Sequence, residues 1–177
     1  MIRLGLSLTT LLVLGWAAPL RAQANLNDLE MAHVAVTASN IDIAYAHLAL
    51  ALSENLEIRA FAETMIRDHG AVNGQVVALA RRLNVQAQDN EFSRTLLRDA
   101  QRIKDELSAL RGAEFDRAYA ANELRYHQAV NGVVAGTFIP NARHADVKAA
   151  FETALPIFRG HEQHAEQLVR VLSTSSR

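Results

Sequence analysis

The sequence predicts an all-α fold, and three observations carry that reading. Apolar residues recur at mixed three- and four-residue steps through nearly all of the chain after residue 24, the spacing of one helix face. That region is rich in Ala and Leu and holds two prolines, Pro140 and Pro156. Turn-forming residues fall at a few well-separated places: Asn55, the run from Asn84 to Asn90, Gly112, and a Pro-containing turn from Ile139 to Arg143.

Between these breaks the pattern predicts helices over 27–53, 56–84, 91–110, 113–138 and 145–173. Asn55 is placed to cap the second, since its short amide can accept from exposed N–H groups of the first turn. Four helices are long and one is short. Two long helices joined by a tight turn, a connection carrying its own short helix, then two more long helices give a bundle with one long crossover. Ferritin-like four-helix bundles have that connectivity, and in this chain the short extra helix would lie in the crossover between the two hairpins. An up-and-down bundle with a fifth helix packed outside has the same order of lengths, so both arrangements stay open at this point.

Residues 1–24 read as a secretory signal peptide: Arg3 is the positive end, Leu4 to Ala18 the apolar stretch, and Ala22-Gln23-Ala24 a small-x-small cleavage site. The apolar stretch falls short of the roughly 20 residues that span a bilayer, so no transmembrane helix is expected after cleavage. Residues 25–177 are then one bundle domain, periplasmic or secreted, of about 150 residues, enough to bury a core. Taking Arg3 and Arg21 from the 18 basic residues leaves 16 against 19 acidic ones, a mildly acidic balance that argues against nucleic acid. The chain has no Cys, which excludes a lipoprotein anchor, thiolate metal sites, iron–sulfur clusters and thiol redox chemistry. Any metal must be held by nitrogen and oxygen.

Ionisable residues interrupt the apolar seam of each long helix. The first seam runs Ala35, Ala38, Asp42, Tyr45, Ala49, Leu52. The second runs Ile58, Ala62, Met65, His69, Val72, Val76, Leu79, Leu83, and the last Val147, Phe151, Ala154, Phe158, His161, Ala165, Leu168, Leu172. On the fourth helix two adjacent stripes qualify, Phe115, Tyr119, Asn122, Tyr126, Ala129, Val133 and Asp116, Glu123, His127, Val130, Val134, and a wide buried face would take in both. Glu123 and His127 lie four apart, hence on one face about one 5.4 Å turn from each other. Depth agrees as well as phase. At about 1.5 Å per residue Asp42 lies roughly 18 Å before its hairpin turn and His69 roughly 22 Å after it. In the second hairpin His127 lies roughly 18 Å before Ile139 and His161 roughly 25 Å after His144. Hairpins packed face to face would bring Asp42, His69, Glu123, His127 and His161 together at mid-height.

The blocks Ile58-Arg-Ala-Phe-Ala-Glu-Thr-Met-Ile-Arg-Asp-His69, Gly112-Ala-Glu-Phe-Asp-Arg-Ala-Tyr119, His127 and Leu155-Pro-x-x-x-x-His161 resemble a secreted bacterial ferritin-like family, domain of unknown function 4142. The resemblance spans nearly all of the chain after the leader. It implies a ferritin-like bundle in the periplasm or at the outer membrane, some members being described as predicted outer membrane proteins, and no established activity. Asp68, His69, Asn73, Asp116, Tyr119, His127, Pro156 and His161 stand as that pattern expects. Asp42 stands where Glu is usual, keeping the charge and losing a methylene of reach. The Glu-x-x-His pairs of dinuclear carboxylate ferritins are missing, because Ile66 and Phe158 occupy the positions three before His69 and His161.

Two functions follow as expectations. In one, Asp42, His69, Glu123, His127 and His161 hold a single transition metal, zinc, iron, copper or manganese, since imidazole ligates all four. Asp68, Asn73, Asp116, Tyr119 and His164 would orient those groups from outside. In the other, the cluster is a metal-free network of ion pairs and hydrogen bonds that fixes helix register. The chain would then be a structural, stress-related or partner-binding envelope protein, using exposed charges such as Arg94, Arg98, Arg102, Lys104 and Asp105. His33, His47 and His144 carry no phase argument and read as surface residues. Nucleophilic catalysis finds no support, with neither Cys nor a serine elbow. Partner and homo-oligomeric state stay open.

Overall fold

A computed structural model describes residues 26–174, so the signal-peptide reading of 1–24 lies outside the described residues. Among these the chain is helical throughout, without strands: α1 (Asp28–Leu52), α2 (Leu56–Leu83), α3 (Glu91–Ser108), α4 (Gly112–Val133) and α5 (Ala145–Thr174). Each start has a local cause. Asn27 and Glu30 form a capping box on α1, Asn55 accepts from Glu57 and Ile58 N–H at the head of α2, and Asn90 accepts from Ser93 N–H at the head of α3. Asn84 ends α2 in the left-handed conformation, φ 52°, which Asn tolerates better than most residues. Gly112 turns the chain from α3 into α4 at φ +53°, where a Cβ would be strained.

The expected turn at Ile139 to Arg143 begins later than the sequence suggests. α4 continues through a π-helical segment, Val134–Phe138, and one more turn, Ile139–Asn141. Pro140 has no N–H for the Gly136 carbonyl and its ring crowds that oxygen, so the widened turn, with Ile139 N–H reaching Val134 O, carries the chain past it. The chain then turns at Ala142 to His144, whose way into α5 is held by Asp28 accepting from Arg143 N–H and His144 N–H.

The topology follows from the contacts between helices. α1 and α2 form one antiparallel hairpin, α4 and α5 the other, and α1 lies against α4 while α2 lies against α5. α3 runs back along α1: Asn90 donates to Glu30 O near one end and Tyr45 OH to Ala100 O further along. At the far end Ser53, just after α1, donates to Asp116 near the start of α4. α3 therefore carries the chain the full length of the bundle, and α2 and α4 run in the same direction. α1 touches three neighbours, which accounts for its apolar character. It is long and apolar enough to cross a membrane, a test that a core helix also passes, and half of its most apolar window is buried. The charges of α3 pair along the helix, Arg94 with Asp89 and Glu91, Arg98 with Glu91, and Arg102 with Glu106.

The seams of α1, α4 and α5 are largely buried, and both α4 stripes contribute, since Phe115, Tyr119, Asn122 and Tyr126 are buried together with Asp116, Glu123 and His127. The α2 seam departs from expectation. Ile58, Ala62, Met65, His69 and Val72 are buried, but Val76, Leu79 and Leu83 are only half-buried. Opposite them stand the small side chains Ala32 and Ala35 of α1 and Ala150 and Ala154 of α5, which leave space along this half of the bundle.

Candidate metal site

At mid-height the four long helices bring Asp42, His69, Glu123, His127 and His161 together, each at most 5% exposed. His69 Nε2 lies 2.5 Å from Asp42 Oδ2, and His127 Nε2 lies 3.3 Å from the same oxygen. His127 Nδ1 is 3.8 Å from Glu123 Oε2. The three imidazoles surround a common point, with ring centres 5.8 Å (His69–His127), 5.3 Å (His69–His161) and 5.5 Å (His127–His161) apart. One ring nitrogen from each lies within 4.8 Å of the other two, and donor atoms of Asp42, Glu123 and His127 meet the same limit. The shorter reach of Asp42 thus still brings its carboxylate to two imidazoles.

The second nitrogen of each imidazole is tied outward. His127 Nδ1 is 3.0 Å from the Glu123 carbonyl, which can only accept, so Nδ1 carries the hydrogen. His161 Nε2 is 3.0 Å from Asp68 Oδ2, which makes it the donor in the same way. His69 Nδ1 is 2.8 Å from Ser39 Oγ, and Ser39 can pass its own hydrogen to the His69 carbonyl at 3.5 Å, leaving Oγ to accept. When neutral, His127 and His161 are therefore held in the tautomer that leaves the other nitrogen a lone pair, and so is His69 where Ser39 accepts. Those nitrogens, His69 Nε2, His127 Nε2 and His161 Nδ1, are buried without a well-directed hydrogen-bond partner, as are both oxygens of Asp42 and Glu123. The approaches to Asp42 are close in distance but misaligned in direction. Phe158 stacks on His69 at 4.6 Å and fixes the plane of its ring.

Electrostatics separate the two carboxyls. Burial would raise Asp42, but the His69 and His127 charges beside it prevail and hold it well below the usual carboxylate range. Burial raises Glu123 far above its ordinary value, and the adjacent Asp42 charge adds to this. Burial lowers His127, yet Asp42 outweighs it and the net direction is upward. His161, with burial dominant and Asp68 offsetting only part of it, is pushed down to about 4. In the metal-free chain the first three groups thus share protons around one retained negative charge.

A pH dependence of stability follows. Glu123 and His127 bind protons more tightly folded than unfolded, so their contribution is lost as pH rises through their raised folded values. His161 is depressed, so its contribution is present above 6.5 and lost as pH falls toward about 4. With a chelator present, urea midpoints should fall on both sides of a mildly acidic optimum, and a midpoint unchanged across neutral pH would contradict this.

The residues expected around the cluster fare unequally. Asp68 holds His161 and is itself held by Arg67 Nε at 2.7 Å. Tyr119 is buried, stacked on Phe115 at 5.9 Å, with a hydroxyl lacking a hydrogen-bond partner and a pKa raised first by burial and then by Glu123. Asn73 donates to Asn40 across α1 and α2. Asp116 is occupied with Ser53, and lies about 10 Å along the axis from Glu123 at 1.5 Å per residue. His164 is half-buried with its ring 5.0 Å from that of Phe61, which is a packing contact. His47 and His144 are exposed, whereas His33 is half-buried and bridges to Ser93 Oγ at 2.8 Å, tying α3 to α1. Ser39 went unnoticed in the sequence. Its signal was its place three residues before Asp42, on the same helix face.

No curated protein and no solved structure matches the chain. A family model described as Domain of unknown function (DUF4142) matches residues 16–168, most of the chain and all five positions of the cluster. The chain belongs to this DUF4142 family.

Proposed function

We propose that this chain is an exported ferritin-like bundle that binds one transition-metal ion between His69, His127 and His161, with Asp42 and Glu123 completing the ligand set. The observation that carries the reading is the orientation of the three imidazoles. Each is fixed by an outer hydrogen bond, to Ser39, the Glu123 carbonyl or Asp68, and each turns its other, buried nitrogen toward the cluster without a well-directed hydrogen bond there. Metal-binding histidines are characteristically oriented in this way. A buried polar atom without a partner costs about 1–3 kcal/mol, and a cation would satisfy several such atoms at once. Two hairpins joined by a helix that travels the bundle's length support the ferritin-like assignment. The leader-like residues 1–24 support export.

Nitrogen and oxygen donors of this kind suit zinc, iron, copper or manganese. Binding must displace protons held by the cluster, because a metal takes imidazole and carboxylate in their basic forms. The test is calorimetric titration of the untagged chain with each ion in buffers of different ionisation enthalpy, alongside elemental analysis of the protein as isolated. One ion per chain with proton release is expected. Affinity no tighter than millimolar for all four ions would leave the cluster as a metal-free network that sets helix register.

A further inference from the structure

On the side of the imidazoles away from the Ser53 turn, the bundle does not close on itself. A cavity of about 1110 Å³ lies between α1, α2, α4 and α5, larger than the roughly 300–1,000 Å³ of ordinary small-molecule sites. Protein interiors otherwise leave few voids larger than a water molecule. From His69 to Leu83, the wall on α2 runs about 21 Å at 1.5 Å per residue. Val76, Leu79 and Leu83 hold seam positions on that wall, yet each stays half-buried. Apolar side chains at core phase that the protein leaves partly uncovered are hydrophobic surface for an occupant to bury.

The wall offers an occupant little but hydrocarbon. No Lys, Arg or Glu lines it among the described residues, and its one Asp, Asp28, is committed to the N–H groups of Arg143 and His144. Asn73 is engaged with Asn40, Tyr126 donates to Ala38 O, and Ser39 is engaged with His69. Gln128 and His144 are exposed, and Thr137 is half-buried in the π-helical segment toward the outer end. His69 and His127 close the inner end, but their Nε2 atoms turn toward Asp42 Oδ2, at 2.5 and 3.3 Å. Asp42, Glu123 and His161 form no part of the wall. A polar head carried to the inner end would lose its water and find no partner.

We propose that the cavity takes the hydrocarbon chain of an uncharged single-chain lipid, methyl end inward against His69 and His127 and head outward beside Asp28. The hydrocarbon lies along Val72, Val76 and Val134 and faces Ala35 and Ala150, whose small side chains leave the room it needs. Charge is disfavoured at the outer end as well. An anionic head would find no cation and would stand beside the Asp28 carboxylate, and a cationic head would have to take Asp28 from the turn before α5. This occupancy is independent of the metal reading, since the ring nitrogens assigned to the ion face Asp42.

The probes are decan-1-ol, octan-1-ol, decane-1,10-diol and decanoate, titrated by calorimetry into the full chain after stripping with a chelator and again with zinc added. Decan-1-ol is expected to bind roughly fifteenfold more tightly than octan-1-ol, since each buried methylene adds about fourfold. It should bind at least tenfold more tightly than decane-1,10-diol, which must carry one hydroxyl to the inner end, and at least tenfold more tightly than decanoate. Its affinity should agree within threefold with and without zinc. In crystals of the parent chain, decan-1-ol brominated at the carbon farthest from its hydroxyl should place the anomalous signal of bromine beside His69 and His127. Val76→Trp fills the cavity from a half-buried position and should weaken decan-1-ol tenfold or more, and Ala35→Phe should do so from the opposite wall. Absence of decan-1-ol binding, or decanoate binding as tight, would overturn the proposal while leaving the metal reading intact. Equal affinity for alcohol and diol, an affinity that depends on zinc, or bromine at the outer end would overturn the inward methyl end. Full affinity in both cavity-filling variants would overturn the placement of the hydrocarbon.

Discussion

His127→Ala is expected to weaken metal binding at least a hundredfold. His127 is the one residue common to both groups of donors, His69 with His161 and Asp42 with Glu123. Its removal leaves two imidazoles on one side and two carboxylates of opposed protonation on the other. His161→Ala should cost less, because the group of Asp42, Glu123 and His127 stays intact and His69 still lies beside Asp42. Asp68→Ala should cost about tenfold without touching a ligand, by taking the acceptor from His161 Nε2 and freeing its tautomer. Titration of the three variants beside the parent chain measures the ranking, and equal losses in all three would show that the ligands act through overall stability alone.

Asp42→Ala is expected to have the largest effect on the metal-free fold. The carboxylate is fully buried and within 3.3 Å of two imidazole nitrogens. Removing one member of a buried charged cluster leaves the others uncompensated, at a cost of about 3–5 kcal/mol. Small domains are stable by only about 5–15 kcal/mol, so the variant should unfold at much lower urea. Asp42→Asn keeps the shape and removes the charge, and it should show most of the same loss. If the midpoint of Asp42→Asn matches the parent, the negative charge is not what holds His69 and His127 in place.

The helices were legible because their caps and seams agree. Asn55, Asn90 and Gly112 mark boundaries within a few residues of those observed, and the period of the seams is that of a helix face. The convergence of Asp42, His69, Glu123, His127 and His161 was legible from phase plus depth, since helix rise is constant and short turns fix each hairpin's register. Other features left no such mark. Val76, Leu79 and Leu83 continue the α2 seam without a break, and an apolar side chain reads the same whether it meets a neighbour or lines a cavity. The emptiness arises from the small residues opposite, Ala32, Ala35, Ala150 and Ala154, whose alignment is a matter of tertiary register. The π-helical passage around Pro140 was hidden for a different reason. Proline reads as a turn, and the geometry that tolerates it depends on how the preceding turn can widen. Asp116 and His164 have helical phases that place them near the cluster's faces, but the groups they engage, Ser53 and Phe61, come from other parts of the chain.

Metal binding by the three imidazoles is tested most directly by X-ray absorption on the chain loaded with one equivalent of zinc. The expected first shell contains nitrogen and oxygen only, with outer-shell scattering from three imidazole rings, reduced to two in His161→Ala. A shell of oxygen without imidazole scattering, or one unchanged by His127→Ala, would contradict the proposed site.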